Sequence, residues 1–285
     1  MKSILNDKQI ADFTDDGFVI VERIIEPAQA KAAADRYERL FKGEFETGLY
    51  PDEWNWREGR DPPDHSRQIC NGWKSDYTIA ATVLSEAIGR SCAQVAGWPG
   101  ARIYQDNVLW KPPGAKAFGF HQDNSYADFF EPSEMVSCWI ALDDTTAGGG
   151  TIEYARGSHR WDHAPPIGQF HAPDDPHVEL RAAAQRNRAE IDLCPVVAPV
   201  GGGAFHHGWT WHGSGVNRGA LPRRALVVHC ISSEARFHES NTGYIYGRYK
   251  RFGDTAMDES FFPILWTEDG GRSSFLDAYL SEERV

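Results

Sequence analysis

The spacing of apolar and polar positions changes character about a third of the way along the chain. Before residue 100, apolar positions recur at helical intervals. Residues 7–14, 27–40 and 78–96 read as amphipathic helices, the second presenting Ala30, Ala33, Ala34 and Tyr37 on one face. Residues 18–21 form a short apolar run between the first two helices, as a buried strand would. Residues 42–66 are polar, aromatic and interrupted by Gly and Pro, which predicts a long surface loop able to fold over a site. From residue 102 the pattern becomes that of short strands, at 102–110, 136–142, 151–154, 196–200, 203–207 and 224–231. Helices first and short, Gly-punctuated strands afterwards predict a mainly β fold with flanking helices, a sandwich or jelly roll. One domain over 1–285 accounts for the pattern, with a helical part to about residue 100, a jelly-roll core to about 232 and an extension over 233–285. The polar insertion at 164–188 and the Tyr-rich, basic stretch at 239–252 are places from which substrate contacts could come.

Charge and cysteine content narrow the function classes. A formal net charge of −12 argues against a phosphate-backbone or anionic-membrane partner and mildly favours neutral or cationic small molecules. Cys70, Cys92, Cys138, Cys194 and Cys230 are odd in number and lack CxxC spacing, as expected of reduced thiols. No long apolar run opens the chain or follows later, so a cytoplasmic location with no membrane partner is the expectation. Ten tryptophans is a high count, and Trp54, Trp56 and Trp73 stand in a polar, Pro-rich stretch where a core role is the weaker expectation.

Two segments carry candidate chemistry. In Phe118-Gly-Phe-His-Gln-Asp-Asn124, His121 and Asp123 stand two apart, so on an extended strand both leave the same face. In Trp211-His-Gly-Ser-Gly-Val-Asn-Arg218, His212 follows an apolar and aromatic stretch and precedes a Gly-rich turn, the setting of a strand end. Two imidazoles and a carboxylate on one face of an ion make the facial triad of non-heme Fe(II) sites, which leaves positions open for other ligands. A lone His-x-Asp carries little weight, since about one arises by chance in a chain of this composition. His177-Val-Glu179 shows the hazard: its polar surroundings mark a solvated face. His206 and His207 compete with His212, but only His212 precedes Gly-Ser-Gly. Packing, or hydrogen bonding to a ligand, is the expected fate of the other two. No HExxH helix, GxxxxGK[ST] loop or GxGxxG turn is present, and the glycine triplets at 148–150 and 201–203 read as turns.

Several elements in order give the chain a family likeness: Asp16-Gly-Phe-Val-Ile20, Lys111-Pro-Pro-Gly114, His121-Gln-Asp123, Trp139-Ile-Ala-Leu142, Gly150-Thr-Ile152, Gly157-Ser-His159, and His212-Gly-Ser-Gly-x-Asn217 with Pro222-Arg223. From about Phe13 to Cys230 the chain resembles the phytanoyl-CoA dioxygenase (PhyH-like) Fe(II)/2-oxoglutarate oxygenases. The resemblance implies a double-stranded β-helix core, cupin-like in form, with His121, Asp123 and His212 binding Fe(II). It also implies that Arg223, with Ser214, holds the far carboxylate of the cosubstrate 2-oxoglutarate, and that Trp139 and Asn107 line the cosubstrate pocket. A guanidinium suits the first role, being a planar two-pronged donor of permanent charge. Strand alternation aims only one of Arg223 and Arg224 inward, and the Pro-Arg match favours Arg223. Arg156 stands where the family usually has Pro and is expected near the pocket mouth. The implied reaction is hydroxylation of a small molecule by dioxygen, with succinate and CO2 released. A carboxylate at 123 favours this over halogenation, whose enzymes carry a small residue there. A cupin-like metalloenzyme without cosubstrate and a catalytically silent ligand-binding protein remain alternatives.

Overall fold

The computed structural model describes residues 3–281. The chain runs α1 (Asp7–Asp16), β1 (Phe18–Val21), α2 (Pro27–Ala34), α3 (Tyr37–Phe41), β2 (Glu53–Trp54), β3 (Arg67–Cys70), α4 (Tyr77–Val83) and α5 (Glu86–Ala96). Then follow β4 (Gly100–Lys111), β5 (Phe118–His121), β6 (Phe130–Glu131), β7 (Val136–Ala141), β8 (Glu153–Ala155), α6 (Val178–Asn187), β9 (Leu193–Pro195) and β10 (Gly203–His207). The last elements are β11 (His212–Ser214), β12 (Arg223–Ser232), β13 (Arg236–Phe237), β14 (Ile264–Thr267) and α7 (Leu276–Leu280). A large antiparallel sheet has the order β1-β10-β7-β12-β4-β3-β2 with β14 also on β4, a smaller one the order β5-β11-β8-β9, and β13 pairs with β6. This is the mainly β, double-stranded β-helix architecture expected.

Each face of the large sheet has its own task. Val108, Val228, Cys138 and Phe205 join the core beneath α2 to α5. Alternation sends Trp139, Ala204, Ala225 and Val227 to the opposite face, where they pack with Tyr154 and Ile152. Register then lines up rows across the strands, because directly opposed residues share a face. One row is Gln105, His229, Ser137 and His206; the next is Glu53, Cys70, Asn107, Val227, Trp139 and Ala204. In the small sheet His121 stands opposite His212, and His212 opposite Tyr154. Gly213 permits that closeness, since a Cβ there would meet the Phe120 ring at 2.6 Å.

Several expectations about elements are corrected. The helix expected over 27–40 is two helices, and Arg36 between them pairs with the buried Asp76 at 2.6 Å. The helix expected over 78–96 restarts at Ser85, whose hydroxyl caps α5 through Ile88 N. No strand forms over 196–200. Side chains satisfy that backbone instead: Thr145 Oγ donates to Val196 O and accepts from Ala198 N, and Asp144 accepts from Val200 N. Trp56 and Trp73 belong to the main core after all, and Trp54 packs against it. The loop over 42–66 places β2 on the sheet edge. All five cysteines are free, and among the described residues no helix is long and apolar enough to cross a membrane.

Candidate metal centre

His121 ends β5 and His212 begins β11, so the pairing of these two strands sets the imidazoles side by side, with ring centroids 4.2 Å apart. Two details differ from expectation: Asp123 lies in the 3₁₀ turn after β5 rather than on the strand, and His212 opens a strand rather than closing one. The turn still returns the carboxylate to its neighbour. Asp123 Oδ1 is 3.2 Å from His121 Nε2 and 3.4 Å from His212 Nε2. The ligand atoms of the three side chains all lie within 4.8 Å of one another.

Whether a cation fits there follows from the hydrogen bonds on the far side of each ring. His121 Nδ1 is 2.9 Å from Gly119 O and His212 Nδ1 is 2.9 Å from Thr210 O. A carbonyl only accepts, so each Nδ1 carries the proton and each Nε2 presents a lone pair. Two such nitrogens and a carboxylate oxygen converge on one point, which is repulsive for neutral imidazoles unless a proton or a metal cation joins them. The donor set and its outer hydrogen bonds fit a transition-metal cation such as non-heme iron.

The second carboxylate oxygen is fully engaged by the large sheet. Asp123 Oδ2 accepts from Ser137 Oγ at 2.9 Å and His206 Nε2 at 3.0 Å. His206 Nδ1 in turn accepts from Tyr154 OH at 2.9 Å. On the other side the chain of donors runs from Gln68 to Asn107 Oδ1 (3.2 Å), from Asn107 Nδ2 to His229 Nε2 (2.9 Å), and from His229 Nδ1 to Ser137 Oγ (2.7 Å). This directional chain leaves Oδ1 free to face the imidazoles. Burial raises the Asp123 carboxyl, but the surrounding imidazoles, His212 first and then His229, together with the hydrogen bond from His206, outweigh it and hold the group well below the usual carboxylate range. Burial pushes His206 down to about 3, so it is a neutral donor. The expectation that His206 would hydrogen-bond to a ligand holds, whereas His207 packs against Phe13 and His159.

A cavity of ≈ 60 Å³ adjoins the triad, and His121, Asp123, His212, Ser214, Trp139, Asn107 and Arg223 all border it. Arg223 is buried; its Nε donates to Gly150 O at 3.0 Å, while Nη1 is buried with no hydrogen-bond partner. Burial lowers its pKa to about 10, which leaves it charged at neutral pH. An orphaned cationic donor is costly unless a ligand completes it. Arg224 points to the other face and grips Asp143 with two nitrogens, at 2.5 and 3.0 Å. Arg156 does not border either cavity: it pairs with Asp16 and Asp192 near α1. His177 stacks on Phe120 at 4.6 Å, away from the triad.

Gln68, Asn107, His121, Asp123, Phe170 and His229 border a second, larger chamber of ≈ 360 Å³ as well, so the two lie side by side. Its outer walls come from the loop over 42–66, the insertion (Phe170, His171) and the Tyr-rich stretch (Tyr244 to Tyr246). Sequence reasoning missed His229 and Ser137. The signal was alternation: stepping by two from Arg223 reaches His229, and two residues before Trp139 lies Ser137.

Comparison with known proteins bears on the family and the fold. Dioxygenase cdmD of Talaromyces verruculosus is 23% identical over 254 residues, spanning 80% of this chain and 76% of that one. A methylphosphonate hydroxylase of Gimesia maris is 21% identical over 238 residues, 80% of this chain and 81% of its own. Among solved structures, the non-heme α-ketoglutarate-dependent carbocyclase SnoK from nogalamycin biosynthesis superposes with a TM-score of 0.71 at 22% identity, covering 91% of this chain and 96% of that one. The epimerase SnoN, in complex with Fe3+, α-ketoglutarate and nogalamycin RO, gives 0.68 at 19% identity, covering 91% and 98%. The profile of phytanoyl-CoA dioxygenase (PhyH) matches residues 13–225, so the chain belongs to the PhyH family, an oxidoreductase family with an iron/2-oxoglutarate-type dioxygenase fold.

Proposed function

We propose that the protein is an Fe(II)- and 2-oxoglutarate-dependent dioxygenase that hydroxylates a small molecule, carried on one PhyH-like domain. The observation that carries this reading is the pairing, around one small cavity, of three converging lone-pair donors with a buried guanidinium whose Nη1 has no partner. His121, Asp123 and His212 would hold the metal. Iron with 2-oxoglutarate and dioxygen supplies the oxidation of a C–H bond, succinate and CO2 being the co-products.

The remaining work belongs to the chain's own side chains. Arg223 offers the far carboxylate of 2-oxoglutarate a permanent charge and two-pronged geometry, and the Ser214 hydroxyl, on the same cavity wall, adds a donor. Trp139, 5.8 Å from the Arg223 guanidinium carbon, closes that wall and excludes water. Asn107 borders the cavity while its amide orients His229. Ser137 and His206 hold Asp123 Oδ2, so the carboxylate presents Oδ1 alone. The larger chamber would admit the substrate.

Anaerobic addition of Fe(II) and then 2-oxoglutarate tests the reading through the visible charge-transfer band of the chelate. The expected result is a band that saturates in the wild type, is lost in Asp123→Ala and needs far more 2-oxoglutarate in Arg223→Ala. Iron binding without any band would favour a cupin-like metalloenzyme that needs no cosubstrate.

A further inference from the structure

The large chamber is uneven in charge. No Lys or Arg borders it, and its carboxylates are those of Asp123, already committed to the triad, and Glu53. Glu53 is half-buried, and its Oε2 receives only weak donors: the Cys70 thiol at 3.3 Å and the Asn55 amide at 3.5 Å. No ion pair reaches it among the described residues. The adjacent acid is treated differently, for Asp52 is matched by Lys74 at 2.8 Å and Asn71 at 2.6 Å. A half-desolvated carboxylate on a chamber wall, left without a cation while its neighbour has one, is a group awaiting a cation from outside.

The other walls favour the same kind of ligand. Tyr104, Tyr126, Phe129, Phe170, Tyr244 and Tyr246 border the chamber, and ring faces attract cations as well as apolar bodies. The amides of Asn55, Gln68, Gln105 and Asn107 supply neutral polar edges. The imidazole of His171, held by burial below the ordinary histidine value, adds no positive charge at neutral pH. A phosphonate or carboxylate substrate would lose its hydration beside Glu53 and find no counter-charge there. Register also places Glu53 away from the metal-binding end: it lies in the row of Asn107, two strands distant or roughly 10 Å.

We infer that the chamber selects a small, ring-bearing amine in its protonated form, and that Glu53 is the specificity residue that receives the ammonium group. This rests on the proposed oxygenase reading only in taking the chamber as the substrate site.

The test uses three probes of similar size and different charge, 2-phenylethylamine, 2-phenylethanol and phenylacetate. Each is titrated calorimetrically into protein holding Fe(II) and 2-oxoglutarate without oxygen, so that phenylacetate cannot occupy the 2-oxoglutarate cavity. The amine is expected to bind about tenfold more tightly than the alcohol, the sum of a partly desolvated ion pair and ring contacts, and the acid more weakly still. Glu53→Gln should remove most of the advantage of the amine, leaving only the part owed to the rings. Asn55→Lys, a change at an exposed position, should neutralise Glu53 without deleting it and shift the preference toward phenylacetate. Equal binding of amine and alcohol, tighter binding of the acid, binding by none of the three, or an undiminished amine preference in Glu53→Gln would each overturn the assignment. The same titrations on protein without iron or 2-oxoglutarate separate the two ideas. An amine preference that persists there while the charge-transfer band fails would sink the oxygenase reading alone, and a sound band with no amine preference would sink only the role of Glu53.

Discussion

The small cavity beside the triad and the larger chamber next to it share Asp123 and His121 but are made differently. The small cavity is walled mostly by strands in register, so alternation dictates which side chains enter it; the groups behind the triad have fixed partners, while Arg223 Nη1 is left for a ligand. The larger chamber is completed by loops, and its outer rim includes Tyr244, which is 93% exposed. The contrast teaches where precision is needed. A common cosubstrate and metal call for a rigid, pre-paired frame, whereas the substrate-facing wall varies without disturbing it.

Substitutions can break this contrast, and the largest effect is expected at the sheet. Arg223→Ala should raise the KM for 2-oxoglutarate by roughly 100-fold, the scale of losing charge-assisted hydrogen bonds. Arg224→Ala should leave that KM in place and instead lower stability by about 1 kcal/mol through the loss of its pairing with Asp143, visible in chemical denaturation. A larger effect of Arg224→Ala on the KM would mean the alternation argument is wrong. Next come His229→Ala and Ser137→Ala, which remove links of the chain behind Asp123 and should each weaken Fe(II) affinity about tenfold in an anaerobic titration. A smaller effect is expected at the rim. Tyr244→Ala should alter substrate KM a few-fold, on the scale of one lost ring contact, while Fe(II) and 2-oxoglutarate titrations stay unchanged.

Acid should expose the cost of burying an imidazole outside the triad. Burial depresses His207 to about 4. It binds its proton less readily folded than unfolded, so the unfolded chain holds more protons between about pH 4 and the ordinary histidine value near 6.5. Its contribution to stability is therefore complete above about pH 6.5 and is lost as pH falls toward 4. Melting temperature should drop over that window, and His207→Gln should flatten the drop. An unchanged profile in that variant would place the acid sensitivity elsewhere.

Much of the site was readable from spacing. His121 and Asp123 two apart, His212 before Gly-Ser-Gly, and Arg223, chosen over Arg224 by the Pro-Arg match, all converge on one cavity in the structure. What misled was local context. Thr145 and Asp144 satisfy the backbone at 196–200 from a distant turn, which no local period reveals. Trp56 and Trp73 look misplaced in a polar stretch, yet the fold carries them into the core.

Alternation and residue type were enough for the mainly β fold and the candidate ligands, because strand period and donor chemistry are local properties; the choice of Arg223 over Arg224 also needed the Pro-Arg match to the family. Folding decided the rest. That His229, Ser137 and His206 stand in one row beneath Asp123, that Asn107 and Gln68 extend that row's hydrogen bonds, and that Glu53 faces the chamber without a cation all depend on register between strands far apart in the chain. Register is a relation between segments, set by how their faces pack together, and no single segment contains it.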